Sequence, residues 1–207
     1  MIDLYSSPTP NGRKISIMLE ELGVEYNPIF INLEKKEQFS EDFSKISPSN
    51  KIPVIVDKNN NQTIFESGAI LLYLAKKYNK FLDDDNYWEI VQWVFFQMAY
   101  VGPMLGQAHQ YLFYNPGKSK FAEEKTKGYA KHIYEILNKK LSEQEYFSNK
   151  YSIADIAIWP WIARFERHQV DLNNYPNVRR WYLQISKRPA VVKGYNVVGD
   201  FFDIPKP

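Results

Sequence analysis

The spacing of apolar residues changes character once along this chain, and that change limits the fold more than any single motif does. Up to about residue 80, short strand-like runs alternate with helical ones. Ile2 to Tyr5 reads as a strand, and the Ser- and Pro-rich stretch 6–12 as a turn. Ile15, Met18, Leu19 and Leu22 then recur at i, i+3, i+4 and i+7, the pattern of a helix with one apolar face. Thr9 at its N-cap, Pro10 at N1 and Gly23 just past its end suit such a helix. A second strand over 26–32 and a weak helix over 39–46, stopped before Pro48, come next. Two runs, 53–56 and 63–65, joined by a polar turn, read as an antiparallel hairpin. A helix over 67–78 completes the order β-α-β-α-β-β-α.

Beyond 81–86 no convincing strand follows. The stretch 87–114 reads as one long aromatic helix, bent at Gly102-Pro103. Further helices are expected over 121–141, 151–164 and 175–188, with a short one after Pro189. The expected architecture is a small α+β domain, 1–80, followed by an all-α domain, 86–207. A chain of 207 residues has the length for a buried core.

Composition narrows the function. Lys+Arg number 26 and Asp+Glu 24, a net +2. That balance argues against nucleic acid or an anionic membrane as the main partner. Cysteine is absent. The chain therefore has no disulfide, no Cys-ligated zinc and no thiol nucleophile, so any thiol it uses must come from a ligand. The three histidines, His109, His132 and His168, lack metal-ligand spacing, and no metal site is expected. The N-terminus lacks a signal-peptide pattern and no apolar run has the length of a membrane span, so a soluble cytoplasmic protein is expected.

Three motifs carry the remaining information. Ile52-Pro53 opens the third strand. A proline there suits a strand start or an edge. A cis bond would instead turn the Ile52 backbone outward, where a peptide-like ligand could pair with it. Glu66-Ser67 stands at a helix start. Ser67 can be read as an N-cap and Glu66 as a residue favouring the positive helix end. Alternatively, the Ser67 hydroxyl and helix N-terminus suit a carboxylate and Glu66 an ammonium, together fitting an α-amino acid group. Ser152-x-x-Asp155 reads as a capping box, a folding feature with no ligand role. The aromatics of 87–100 read as core and dimer packing, or in part as walls of an apolar substrate pocket.

Taken together, the element order, Ile52-Pro53, Glu66-Ser67 and the Ser152 box resemble the glutathione transferases, with a thioredoxin-like N-terminal domain (βαβαββα). The runs 8–14, 47–53, 65–74 and 102–107 are similar to those of the Nu-class bacterial enzymes, which are glutathione-dependent disulfide-bond oxidoreductases. The resemblance implies glutathione, reduced or oxidised, as bound co-substrate, a small disulfide or electrophile as second substrate, and a homodimer. By it, Glu66 and Ser67 hold the γ-glutamyl end and the Ile52 backbone, before Pro53, pairs with the cysteinyl part. Gln38 and Lys51 sit near the glycine carboxylate, and Thr9 and Asn11 lie beside the sulfur as the catalytic pair. Tyr5 is read as structural. His132 stands where relatives carry an arginine. The implied chemistry is disulfide reduction by a stabilised glutathione thiolate. Conjugation or peroxide reduction by the same thiolate, and a non-enzymatic regulator that keeps the pocket, are the alternatives.

Overall fold

Four short strands build the first half of the molecule, as described by a computed structural model covering residues 1–199 and 201–207. They are β1 (Ile2–Ser6), β2 (Tyr26–Phe30), β3 (Val54–Asp57) and β4 (Gln62–Phe65), in the order β2-β1-β3-β4. β1 runs parallel to β2, while β1–β3 and β3–β4 are antiparallel. Pro28 lies in β2, at the edge of the sheet, where a missing N–H costs no ladder bond. Three helices interleave with the strands: α1 (Pro10–Leu22), α2 (Glu41–Ile46) and α3 (Ser67–Tyr78). The order is the βαβαββα expected of a thioredoxin-like domain.

The apolar stripe of α1 explains how it packs. Ile15, Met18 and Leu19 are fully buried, as are Leu4, Val54 and Ile55 of the sheet and Ile70, Leu71 and Leu74 of α3. Phe43 of α2 packs with Ile31 and Val54, joined by Tyr5, Ile46 and Ile52. Tyr5 thus serves the core, tilted against Phe43 at 6.3 Å. α1 has the expected ends: Thr9 Oγ1 accepts from the Gly12 N–H at 3.1 Å, and Gly23 caps the far end at φ 67°. α3 differs by one residue from the sequence reading. Its N-cap is Glu66, and Ser67 is its first helical residue.

The chain forms two compact units, 1–82 with 187–204 and 83–186 with 205–207. The sequence assigns everything after 86 to the helical domain, yet the final helix, α9 (Pro189–Gly194), belongs with the first unit. Backbone contact explains this. A Cβ on Gly194 would lie 2.6 Å from Ile17 Cα, so α9 crosses directly against α1. The Ser16 hydroxyl donates to the Gly194 carbonyl at the same crossing.

In the second unit, helices are numbered on from the first in chain order: α4 (Tyr87–Phe96), α5 (Gly102–Ala108), α6 (Lys120–Glu143), α7 (Ile153–Ile162) and α8 (Pro176–Ser186). The expected long helix over 87–114 is helical throughout. Where a bend is expected it has a π-helical turn, Gln97–Val101, followed by a second at His109–Tyr114. Widening just before Pro103 gives the ring room and absorbs the hydrogen bond it cannot make. The Ser152 box starts α7, whose residues are all buried. Among the described residues no helix is long and apolar enough to cross a membrane.

Candidate functional site

The site is assembled from three loops of the first unit, each fixed by its own hydrogen bonds. The first joins β1 to α1. The Ser7 hydroxyl donates to the Ile31 carbonyl, and the Thr9 N–H donates to the Ser7 carbonyl at 2.7 Å. Asn11 follows at the second position of α1, where backbone N–H groups and the helix dipole favour negative charge. The absence of a side chain at Gly12 lets this turn close on the end of β1.

The second loop leads into β3. Ser47 Oγ donates to the Lys51 carbonyl at 2.8 Å and accepts from the Lys51 N–H at 3.0 Å. Asn50, at φ 54°, donates through Nδ2 to the Gln38 carbonyl at 2.9 Å. The Ile52-Pro53 bond is cis. Ladder pairing of β3 begins at Val54, so Ile52 stands just beyond it, with its side chain packed on the Phe43 cluster.

The third loop is the step from β4 to α3. Glu66 is exposed and has φ 69°, a left-handed backbone that is strained for any residue with a side chain. Ser67 is buried. Its Oγ accepts from the ammonium of Lys14 at 3.1 Å. Lys14 is itself fully buried, and burial pulls its pKa down to about 7 against the opposing charge of Glu66.

These loops enclose a cavity of about 270 Å³ lined by Asn11, Ser49, Lys51, Ile52, Pro53, Phe65, Glu66 and Ser67. Most of the residues singled out from the sequence therefore meet in one place. Thr9 and Gln38 do not line it. Thr9 holds the helix start two residues from Asn11, and Gln38 anchors the loop that carries Lys51. The Oε1 of Gln38 is buried and, among the described residues, has no hydrogen-bond partner. Sequence reasoning overlooked Ser49, Phe65 and Lys14. Lys14 left a trace, since it lies four residues before Met18 on the buried face of α1. His132 belongs to the second unit, where it is exposed and meets Tyr100 edge-on at 6.4 Å.

Comparison with known proteins identifies the family. Residues 1–76 match the profile of the glutathione S-transferase N-terminal domain and residues 98–189 that of the C-terminal domain. The disulfide-bond oxidoreductase YfcG of Escherichia coli (strain K12) is 43% identical over 198 residues, covering 92% of each chain. Among solved structures, a glutathione transferase from Pseudomonas putida, with one glutathione disulfide bound per subunit, is 37% identical. It superposes with a TM-score of 0.91 over 96% of this chain and 92% of that one. A glutathione transferase from Burkholderia graminis, with two glutathione molecules per subunit, is 36% identical at a TM-score of 0.89, over 95% and 88%. With both domain profiles matched in order and relatives this similar over nearly its whole length, the chain belongs to the glutathione S-transferase family.

Proposed function

We propose that this protein is a glutathione-dependent disulfide-bond reductase, working through a glutathione thiolate that it binds and stabilises. The observation that carries this reading is that Asn11 at the start of α1, Ile52 before the cis proline and the Glu66-Ser67 step line one cleft. The disulfide-bond oxidoreductase activity named for YfcG, and the glutathione disulfide or paired glutathione bound by the two transferases, support it. Glu66 takes the α-ammonium of the γ-glutamyl group, and Ser67 with the start of α3 takes its carboxylate. The Ile52 backbone, beyond the β3 ladder, pairs with the cysteinyl residue as an added strand would. Lys51 answers the glycine carboxylate, with Gln38 at the edge of that subsite.

The sulfur lies at the start of α1. A free thiol has a pKa near 8.5, and lowering it by about two units takes roughly 2.7 kcal/mol of preference for the thiolate. A helix N-terminus contributes about 0.3–1 kcal/mol, up to about 2 when partly buried. A hydrogen bond to a charged acceptor contributes about 1.5–3 kcal/mol. The helix held by Thr9 and the Asn11 amide together reach the requirement, and neither has to accept a proton. The thiolate attacks one sulfur of the substrate disulfide, forming a mixed disulfide and releasing the other sulfur as a thiolate. A second glutathione resolves the mixed disulfide, leaving glutathione disulfide. Because the chain has no cysteine, both thiols of the exchange are supplied by glutathione.

The test is Asn11→Ala. The ultraviolet absorbance of bound glutathione thiolate, titrated with pH, should shift upward by roughly one to two units. Reduction of hydroxyethyl disulfide near neutral pH should fall about tenfold, with recovery in alkali. An unshifted titration rejects the assignment of Asn11. Parallel assay with a chloronitrobenzene measures conjugation by the same thiolate.

A two-fold homodimer in a glutathione-rich, reducing cytoplasm completes the reading. Trp88 and Phe95 of α4, exposed by 77% and 60% in the single chain, supply apolar surface for such an interface. Sedimentation at micromolar concentration should give twice the chain mass of 24.4 kDa, and a monomer would contradict it.

A further inference from the structure

The chain past α9 stays with the first unit as far as residue 204. It lies against a face of α1 marked by Arg13, Ser16 and Ile17, spaced i, i+3 and i+4. The Ser16 hydroxyl donates to the Gly194 carbonyl, and Ile17 meets the bare backbone of Gly194. Arg13 is 2% exposed. Its Nε donates to the Tyr195 carbonyl at 2.9 Å. Its guanidinium lies 3.5 Å from the centre of the Tyr195 ring and 5.7 Å from that of Phe202. At 3.6 residues per turn, Arg13 stands about 200° round the helix from Asn11. Asn11 lines the cleft, while Arg13 is held from behind.

Two further contacts shape this tail. The Asn196 side chain pairs with the Phe202 backbone, donating to its carbonyl and accepting from its N–H, both at 2.9 Å. Gly199 has φ 75°, and a Cβ there would lie 3.1 Å from the Pro8 ring and 3.3 Å from Phe30 Cε2. Glycine meets both demands, a left-handed backbone and a close approach. Pro8 directly precedes Thr9, the N-cap of α1. The tail therefore touches the entry to the helix at Pro8 and the end of its first turn at Arg13, on either side of Asn11 in the sequence.

We infer that this tail is a positioning strap: Tyr195, Gly199 and Phe202 hold Pro8 and Arg13, and so set the Asn11 amide where it bonds the glutathione sulfur. This rests on reading the cleft as a glutathione site with Asn11 at the sulfur. A hydrogen bond weakens steeply once misaligned, so a small shift of the helix start reduces thiolate stabilisation before it reduces binding. In that reading the γ-glutamyl and cysteinyl parts are held on other loops, at Glu66, Ser67 and Ile52.

The experiment is ultraviolet titration of the thiolate of bound glutathione in the full chain, beside calorimetric binding of S-methylglutathione, which has no thiol. Asn196→Ala opens the pairing with Phe202, and Gly199→Val forces the tail off Pro8. Each should raise the titration midpoint by about half a unit to one unit, a loss of about three- to tenfold in thiolate below the midpoint. Affinity for S-methylglutathione should change less than about twofold. Phe201→Ala, in the same tail but with a side chain 83% exposed, should leave the midpoint in place. In an Asn11→Ala background the strap variants should add little further shift, because the strap acts through that amide. An unshifted midpoint in either folded strap variant overturns the inference. So does an equal shift in Phe201→Ala, a full further shift in the Asn11→Ala background, or a loss of S-methylglutathione affinity as large as the loss of thiolate. If Gly199→Val does not fold, Asn196→Ala, which only removes atoms, decides. A wild-type midpoint near the free-thiol value of about 8.5 would reject the thiolate reading of the site and this inference with it, whereas a lowered wild-type midpoint with unshifted variants rejects the strap alone.

Discussion

A Cβ on residue 12 would lie 2.3 Å from the Ser7 carbonyl oxygen and 2.4 Å from Ser6 Oγ. In the sequence, Gly12 reads as part of a flexible turn. In the fold it is a helical residue whose missing side chain lets the first turn of α1 close onto the end of β1. Alanine has the better helix propensity by about 1 kcal/mol, but overpacking against backbone costs about 1–3 kcal/mol. Gly12→Ala should therefore lower stability in urea unfolding and, by shifting Asn11, weaken glutathione binding as well. A variant as stable as the parent would show that this turn yields easily. The same scale separates the two halves of the Glu66-Ser67 motif. Its chemistry is plain from residue types, whereas the left-handed backbone of Glu66 and the lysine behind Ser67 appear only when α1 and α3 are packed together.

At the scale of elements, the start of α7 shows how a legible motif takes on more than its local role. Asp155 closes the capping box by accepting from the Ser152 N–H at 3.0 Å, as the spacing predicts. Its other oxygen accepts from the Phe147 N–H at 3.2 Å and the Trp181 indole at 2.8 Å, tying α7 to the preceding loop and to α8. A cap alone is worth about 0.5–2 kcal/mol. Truncating Asp155 also strands buried donors, each costing about 1–3 kcal/mol. Asp155→Ala should thus destabilise the protein by roughly 3 kcal/mol or more while leaving glutathione affinity per folded molecule unchanged. Chemical denaturation beside calorimetry checks both, and a selective loss of affinity would contradict the folding role.

For the whole molecule, acid sensitivity follows from groups that burial holds in their neutral form. His109 and His168 stack in the helical unit with ring centroids 4.8 Å apart. The Tyr134 hydroxyl lies 2.9 Å from His168 Nδ1. Burial, with the charges of Arg167 and Arg164, lowers His109 to about 4. Burial, then His109 and the same arginines, holds His168 well below its ordinary value. Their folded pKa values are depressed, so the unfolded chain binds more protons below about 6.5 and stability is lost as pH falls. At pH 5 the cost is about 2 kcal/mol for His109, and His168 adds to it in the same direction. Asp155 works the other way. Burial raises it to about 6, so between about 4 and 6 the folded state binds the extra proton and gains about 1 kcal/mol by pH 5. The histidines prevail. Urea midpoints should fall between pH 7 and pH 5, and His109→Phe, which keeps the ring stack, should flatten that fall. An unchanged slope in the variant would assign the acid sensitivity to other groups.

Periodicity and punctuation were enough to order the elements of the first unit, to start α1 at Thr9-Pro10 and end it at Gly23, and to start α7 at Ser152. These features depend on neighbours a few residues apart, and local sterics and hydrogen bonds decide them. Residue types at Ile52, Glu66 and Ser67, and a family resemblance at Asn11 and Lys51, likewise pointed to residues that line one cleft. Contacts between distant segments decided the rest. The second π-helical turn, at His109–Tyr114, and the one-residue shift of the α3 cap follow from no local pattern in the sequence. The return of α9 to the first unit needs the bare backbone of Gly194 against Ile17, 177 positions earlier in the chain. The burial of Lys14 behind Ser67 needs two helices separated by three strands to close on each other, and only the folded chain brings that charge to the site.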